Sequence, residues 1–368
     1  MDMVTLGGRI ARAREDAEMT QEGLGTAVEL ERSAISRLES GERKLNVPEL
    51  VRIAAALNRP LSFFVEEPVP AVVSRRTDLT DEHTSTRQLD YELEMFASDL
   101  RGLVSRGLLT APARFSVATP RDLGGAESAA RKLRQYLKLG SAPIEKLSAV
   151  AERVGLFMYV APIGKGGPDG ACVEVEAGDT TVGAAVINAD TPSGRRRMTF
   201  AHELGHWVFG DAYDSSASPE TETLIRAFAI HLLAPREGVL AAWNDKGSWP
   251  MRDRVLFVAA RFRISWTAAS AQARNLQLID HTEFESLQRN EPRTGDYMRL
   301  ELDWERESIG ATLSRGYVAA VLEAYNNGQL TQSRTLELLR GTIGPSDLPE
   351  LPGASLDDLR SSFQGHDT

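Results

Sequence analysis

The residues with the clearest chemistry in this sequence are two histidines four positions apart. They enclose a glutamate in the run His202-Glu203-Leu204-Gly205-His206. On a helix, residues at i and i+4 lie on one face, so both imidazoles can hold one metal ion while Glu203 stands beside the water that the metal activates. A hydrolytic zinc takes three protein ligands and keeps the fourth position open. The run therefore predicts a zinc hydrolase whose third ligand lies elsewhere.

A carboxylate on the next helical stretch is the candidate for that third ligand. Glu220 and Glu222 both lie there, and the spacing alone leaves the choice between them open. Chance is a weak explanation, because with six His in 368 residues about one chain in a hundred would contain the pattern by accident. Apolar residues flank the motif and Gly210 follows it, which predicts a buried helix that ends at this glycine.

Length and composition indicate a globular protein with more than one core. A chain of 368 residues and 40.3 kDa predicts two or three domains. No apolar run reaches the length of a membrane span, and the N-terminus lacks the pattern of a secretion signal. The single Cys172 cannot form an internal disulfide, which suits a reducing compartment. We therefore expect a cytoplasmic protein without membrane contact.

The first 65 residues predict a compact helical unit. Thr20 begins one helix, and a second helix runs over residues 32–39 and ends at Ser40-Gly41. Ile35 and Leu38 would face inward on this second helix. Four polar side chains would face outward: Arg32, Ser33, Ser36 and Arg37. Two short helices with a tight turn, the second exposing Arg and Ser, suit the DNA major groove.

This unit resembles the Xre-type, lambda-repressor-like helix-turn-helix family. The resemblance implies a five-helix DNA-binding domain over residues 1–67 that binds a double-stranded DNA operator. It places four residues against DNA in the motif, with Arg32, Ser33 and Arg37 at base edges and Gln21 at a phosphate, and it places Arg43 and Lys44 in a loop beside the DNA backbone. It also implies a structural ion pair between Arg14 and Glu39.

Two features of the unit bear on how it would bind. Glu29 stands where the family has Gly, which predicts a less tight turn between the two helices. Residues 1–60 contain nine basic and ten acidic side chains, so we expect weak nonspecific binding, with specificity from a few contacts or from a homodimer. The alternative is that these helices serve protein contacts alone.

A linker and a long helix follow. Pro68 and Pro70 indicate the linker, and apolar residues recur at helical spacing over residues 89–104. This helix either dimerises or covers the next domain, and together they give a segment of residues 68–124. Three strand-like runs at residues 156–160, 171–175 and 182–188 then predict an α+β catalytic domain.

Residues 125–240, with the strands and both metal-binding stretches, resemble the ImmA/IrrE family of zinc metallopeptidases. The resemblance implies a core of residues 125–245 that binds zinc, with manganese as the alternative metal. It makes His202 and His206 zinc ligands and Glu203 the general base. It favours Glu222 as the third ligand because this residue precedes Phe228 by six positions, and Glu220 is the second choice.

Two residues near this site have open roles. His231 lies nine positions after Glu222, and it either polarises the substrate carbonyl or is a buried structural histidine. Arg226 stands where the family has Asn, which changes the surroundings of the ligands.

The remaining chain predicts more helices. Residues 254–276 form a second helix-turn-helix-like pair, which either packs against the peptidase core or contacts DNA, within a helical region of residues 246–345. A Pro-, Asp- and Ser-rich tail of residues 346–368 is expected to be flexible. The predicted fold class is mainly α, with a small α+β zincin-like catalytic domain.

These features predict a DNA-binding transcriptional regulator that carries its own zinc endopeptidase. The resemblance implies that its substrate is a helix-turn-helix repressor or related regulator, cut in response to stress or a prophage signal. One alternative is a regulator that senses zinc or a ligand without proteolysis. Another is an antitoxin-like protein whose C-terminal helices bind a toxin.

Overall fold

The computed structural model describes five parts of the chain: residues 2–65, 74–75, 86–210, 218–302 and 311–351. The expected linker prolines Pro68 and Pro70, and most of the expected tail, lie outside them. The described residues are mainly helical with one small mixed sheet, which confirms the predicted fold class. None of the helices within these ranges is long and apolar enough to cross a membrane.

Five helices form the N-terminal unit, as predicted. They are α1 (Met3–Asp16), α2 (Gln21–Ala27), α3 (Arg32–Glu39), α4 (Val47–Ala56) and α5 (Leu61–Val65). The Thr20 side chain caps α2 by accepting from the Gly23 amide, which satisfies one of the unpaired amides of the first turn. Buried apolar side chains from all five helices close the core: Ile10, Leu24, Ile35, Leu38, Ile53 and Phe64.

A long helix, α6 (Arg87–Ser105), connects this unit with the rest of the molecule. Leu93, Phe96 and Leu100 on one side of it are fully buried against the sheet. Tyr91 and Met95 belong to the core of the N-terminal unit. The helix α6 therefore covers the sheet, which is one of the two roles that the sequence predicted for it.

The sheet has five strands in the order β1-β3-β4-β2-β5. The strands are β1 (Ser74–Arg75), β2 (Leu156–Ala161), β3 (Gly170–Ala177), β4 (Thr180–Asn188) and β5 (Thr312–Leu313). Strands β2 and β4 are parallel, and the other neighbours are antiparallel. The three predicted strands are confirmed as β2, β3 and β4, the longest strands in the described ranges.

Eleven further helices cover the sheet and extend the core among the described residues. They are α7 (Leu123–Tyr136), α8 (Leu147–Glu152), α9 (Ser193–Phe209), α10 (Pro219–Leu233), α11 (Arg236–Asp245), α12 (Met251–Phe262), α13 (Trp266–Asn275), α14 (His281–Arg289), α15 (Thr294–Arg299), α16 (Arg315–Asn326) and α17 (Gln332–Leu338). A 3-10 turn, Pro345–Asp347, follows α17.

The two faces of the sheet bury different helices because side chains alternate along each strand. Val173 and Val175 pack with α6, α16 and α17 on one face. Cys172 and Ala185 point to the opposite face, which α9 covers. The core on the α9 side continues without interruption through α12 and α13, so the apolar interior extends past the predicted boundary at residue 245.

Candidate metal centre and nucleic-acid interface

The predicted metal helix is α9, and it places both histidines in the interior. His202 and His206 are 1% and 0% exposed, and their Nε2 atoms lie 3.1 Å apart. The helix ends at Gly210, whose φ of 72° is left-handed, as expected for a helix that stops on glycine. The two imidazoles therefore converge on one point at the C-terminal half of α9.

Glu222 completes the group from the first turn of α10. Its Oε2 lies 3.2 Å from His202 Nε2, and its Oε1 lies 3.5 Å from His206 Nε2. The Ser218 side chain caps α10 by accepting from the Thr221 amide. Glu220 is exposed and does not belong to the cluster. Between the two carboxylates that the sequence left open, the structure brings Glu222 to the histidines.

The spacing of these donor atoms suits a tetrahedral ion. Zinc bound at about 2.0–2.1 Å in tetrahedral geometry has its ligand atoms about 3.3 Å from one another. The two Nε2 atoms lie 3.1 Å apart, and each lies 3.2–3.5 Å from a different oxygen of the Glu222 carboxylate. Two neutral nitrogens and one carboxylate form a donor set that zinc favours, and three protein ligands leave the fourth position for water. The residues therefore form a cluster that fits a metal ion such as zinc.

Close contact between α9 and α10 positions the ligands. A Cβ atom at Gly205 would lie 2.9 Å from Ile225 Cγ2 and 3.1 Å from Phe228 Cδ1. Phe209 also packs edge-on against Phe228, with ring centroids 5.0 Å apart. The glycine lets the two helices approach at the level of the histidines. Sequence reasoning gave Gly205 no role, although a glycine inside a buried helix is itself a signal of close approach.

The electrostatics of the cluster favour an ionised Glu222. Burial alone would raise the pKa of this carboxyl, but hydrogen bonds and charge interactions with His202 and His206 outweigh burial and hold the pKa well below its usual range. The carboxylate is the form that binds a metal. Glu203 is 0% exposed, and its backbone carbonyl accepts a hydrogen bond from the Cys172 thiol at 3.6 Å.

The structure places His231 away from this cluster. It lies nine residues beyond Glu222 on the same helix, which is about 13.5 Å along the axis. Its Nδ1 is 3.2 Å from Gln272 Nε2, and its Nε2 is 4.0 Å from Glu127 Oε2. Burial lowers the pKa of His231, opposed by the charge of Glu127. His231 therefore lies apart from the metal ligands, in the wall of a separate cavity of about 360 Å³.

The predicted base-reading side chains share one face of α3. Ala34, Ile35 and Leu38 are buried and anchor the helix. Four side chains on the opposite face are exposed: Arg32, Ser33, Ser36 and Arg37. Such a surface can enter a major groove, where Arg pairs with guanine edges.

The other three predicted DNA contacts differ in their exposure and in their partners. Lys44 is exposed, whereas Gln21 and Arg43 are half-buried. Gln21 donates to Glu39 at 2.7 Å, and Arg43 pairs with Glu49 at 2.6 Å. The predicted ion pair of Arg14 with Glu39 is confirmed at 2.6 Å.

The turn before α3 remains tight, contrary to the expectation from Glu29. This residue adopts a left-handed φ of 59°, and the next amide, of Leu30, donates to the Gly25 carbonyl at 2.8 Å. A Cβ at Gly25 would lie 2.6 Å from the Leu30 carbonyl oxygen. The chain therefore keeps a glycine-like turn with a non-glycine residue, at a cost of about 1–2 kcal/mol.

Two family models match the chain at these two sites. Residues 10–64 match the model described as Helix-turn-helix, and residues 176–273 match the peptidase-family model described as IrrE N-terminal-like domain. The matches confirm the predicted fusion of a DNA-binding helix-turn-helix domain with an ImmA/IrrE-like domain. No curated protein matches the chain.

Two solved structures show a weak likeness to this chain. The first is PlcR of Bacillus thuringiensis, in a complex with the peptide PapR7 and DNA, with 12% identity, coverage of 81% of this chain and 96% of that chain, and a TM-score of 0.18. The second is ComR of Streptococcus suis, with 15% identity, coverage of 92% and 93%, and a TM-score of 0.17. TM-scores this low carry no information about the fold.

Proposed function

We propose that this protein is a DNA-binding regulator that carries a zinc-dependent endopeptidase, and that the endopeptidase cuts a repressor or a related regulatory protein. One observation carries the proposal. The two histidines and Glu222 converge with the spacing of zinc ligands, and Glu203 lies beside His202 on the same buried helix. A structural zinc site needs no such base and tends to close its fourth position.

In this proposal, the residues of the site have different roles in peptide hydrolysis. His202, His206 and Glu222 hold the metal. When bound, zinc lowers the pKa of water to about 7 and polarises a carbonyl oxygen. Glu203 accepts the proton of the attacking water and delivers it to the leaving amine nitrogen. Burial of Glu203 keeps bulk water away from this proton transfer.

The N-terminal unit supplies DNA recognition in this proposal. Its exposed Arg32 and Arg37 are suited to base edges, while the near balance of charge in residues 1–60 limits nonspecific affinity. The resemblance to the ImmA/IrrE family implies that the substrate is a regulatory protein. The proposed substrate is therefore a partner regulator, for example the product of a neighbouring repressor-like gene.

The decisive variant is Glu203→Gln, which is nearly isosteric and cannot accept the proton. We expect it to bind zinc like the wild type and to cleave the repressor about 10²–10⁴ times more slowly. Cleavage would be followed by mass spectrometry and zinc content by metal analysis, with Glu220→Gln as the matched control. Equal cleavage rates for Glu203→Gln and wild type would refute the assignment of the base.

A second candidate function keeps the metal and omits hydrolysis. It is a sensor in which zinc or a ligand controls DNA binding, and the contact between α1 and α6 favours it. Glu94 on α6 pairs with Arg9 at 2.8 Å and with Arg12 at 3.3 Å, so the N-terminal unit is attached to the helix that covers the sheet. If a fully metallated protein cuts no candidate repressor but changes its DNA affinity with zinc, the sensor function replaces the endopeptidase.

A further inference from the structure

A large cavity is lined by residues of α9 and α10, the two helices that carry the metal ligands. Its volume is about 1470 Å³, which exceeds the roughly 300–1,000 Å³ of sites for small molecules. Its walls come from α9, α10 and α13 and from residues 291–302. A cavity of this size, with walls from several elements, suits a segment of polypeptide rather than a small ligand.

The cavity begins within one helical turn of two metal ligands. Met198 in its wall precedes His202 by four residues on α9, and Thr223 directly follows Glu222 on α10. Arg226, also in the wall, follows Glu222 by four residues and so lies one turn away on the same side of α10. The wall therefore includes residues that lie one helical turn from His202 and from Glu222.

Apolar side chains form much of the wall away from the metal. They are Ile230, Trp266, Tyr297, Met298 and Leu302. Trp266 is fixed in place, because its indole nitrogen donates to the Leu287 carbonyl at 3.0 Å. This part of the cavity can bury an apolar side chain of a bound peptide. Burial of apolar surface contributes favourable free energy to most peptide recognition.

The charged side chains of the wall have different partners. Arg195 pairs with Asp169 at 2.8 Å, and Arg274 lies over the Phe284 ring at 4.3 Å. Arg226 is exposed, and within the described ranges it has neither a carboxylate partner nor a hydrogen bond of its side chain. Among the basic residues of the wall, Arg226 is thus the one closest in sequence to a metal ligand and ready to bind an anion.

We propose that this cavity is the substrate groove and that Arg226 selects an acidic residue of the substrate close to the scissile bond. The inference rests on the proposed endopeptidase function. One helical turn separates Arg226 from Glu222, about 5–6 Å, and an extended peptide advances about 3.3 Å per residue. The selected Asp or Glu therefore lies about two residues from the bond that is cut, with an apolar residue farther along.

The test separates binding from cleavage. Full-length, zinc-loaded Glu203→Gln protein is mixed with fluorescein-labelled nonapeptide sets in which one position is fixed as Asp, Asn or Lys, and binding is followed by fluorescence anisotropy. At one position the Asp set should bind about tenfold more tightly than the Asn set, the scale of a charge-assisted hydrogen bond. Adding Arg226→Ala should abolish this preference, and Arg226→Glu should shift it to Lys.

Arg153→Glu is the matched control, because Arg153 is an exposed arginine outside the cavity wall. It should leave the Asp preference unchanged. An Asp preference that survives Arg226→Glu, a loss of equal size in Arg153→Glu, or the absence of binding by every peptide set would each overturn the inference.

Cleavage of the same peptides by the wild-type protein distinguishes the two proposals. If the wild type cuts them with a specificity that Arg226→Glu does not alter, the role of Arg226 is wrong and the endopeptidase stands. If binding shows the Arg226-dependent preference while no peptide or repressor is cut, the groove stands as a peptide-binding site and the endopeptidase is wrong.

Discussion

The metal centre and the outward face of α3 differ in the exposure of their side chains. His202, His206 and Glu203 are buried between packed helices, whereas Arg32 and Arg37 extend into solvent. The first arrangement is preassembled by the packed helices, as the proposed catalysis requires. If Arg32 and Arg37 contact bases as proposed, the second reaches its final geometry on DNA, where the bases supply the partners. The same chain therefore contains one preorganised site and one site completed by its ligand.

This difference predicts different consequences of substitution. A change in the metal centre removes a group whose neighbours cannot replace it, because the surrounding atoms are close-packed. A change on α3 removes one contact among several and leaves the domain folded. Each of the following variants tests whether the two sites really differ in this way.

The largest effect is expected at the third ligand. Glu222→Gln removes the negative charge of the carboxylate whose two oxygens face the two histidines, so zinc affinity should fall by more than about 100-fold, since even outer-shell partners account for 10–100-fold. Competition with a zinc-binding dye measures the affinity. Glu220→Gln, two residues earlier and exposed, should bind zinc like the wild type. Equal losses in the two variants would show that the site is not preassembled around Glu222.

A smaller effect is expected on α3. Arg37→Ala should weaken binding to a DNA duplex selected with the wild-type protein by about 1–3 kcal/mol, or roughly 5–150-fold, if Arg37 reads a base. Its zinc content should not change. Arg52→Ala, an exposed arginine on α4, is the control and should keep the affinity. Comparable losses in the two variants, measured by electrophoretic mobility shift, would mean that charge rather than base reading determines binding.

A similar free-energy change, in folding rather than in DNA binding, is expected at the contact beneath the histidines. Gly205→Ala places a Cβ 2.9 Å from Ile225, and such overpacking costs about 1–3 kcal/mol. Urea unfolding of the zinc-free protein, followed by circular dichroism, measures the loss. Gly102→Ala on α6 is the matched control because its Cβ would meet nothing within 4 Å, so it should stabilise the helix by up to about 1 kcal/mol. Equal effects would show that Gly205 is not a point of close approach.

Local sequence patterns were sufficient for the parts of the molecule that depend on near neighbours. The i, i+4 spacing of His202 and His206 and the strand-like runs of β2, β3 and β4 predicted elements that the structure contains. The choice of Glu222 over Glu220 depended on the packing of α10 against α9, which spacing alone does not determine. The wall of the large cavity combines α9, α10 and α13 with residues 291–302, and no single stretch carries a pattern for it.

The role of His231 also could not be predicted from its position in the sequence. Its sequence position, nine residues after Glu222, left a catalytic and a structural role open. Its neighbours Gln272 and Glu127 come from α13 and α7, which lie 41 and 104 residues away in the chain. Contacts between residues so far apart come from tertiary packing, and the sequence around His231 contains no pattern that predicts them.

The smallest effect is expected at the turn that orients α3. Glu29→Gly relieves a left-handed residue, a gain of about 1–2 kcal/mol that the greater freedom of glycine in the unfolded chain reduces to about 0.5–1 kcal/mol. Hydrogen exchange of peptides covering α2 and α3 in the full-length protein should slow by about two- to fivefold. Glu29→Ala keeps the Cβ and removes only the charge, so it should give no such gain. If both variants slow exchange equally, charge rather than backbone strain is the cause, and the surface of α3 is held by a turn that is not strained.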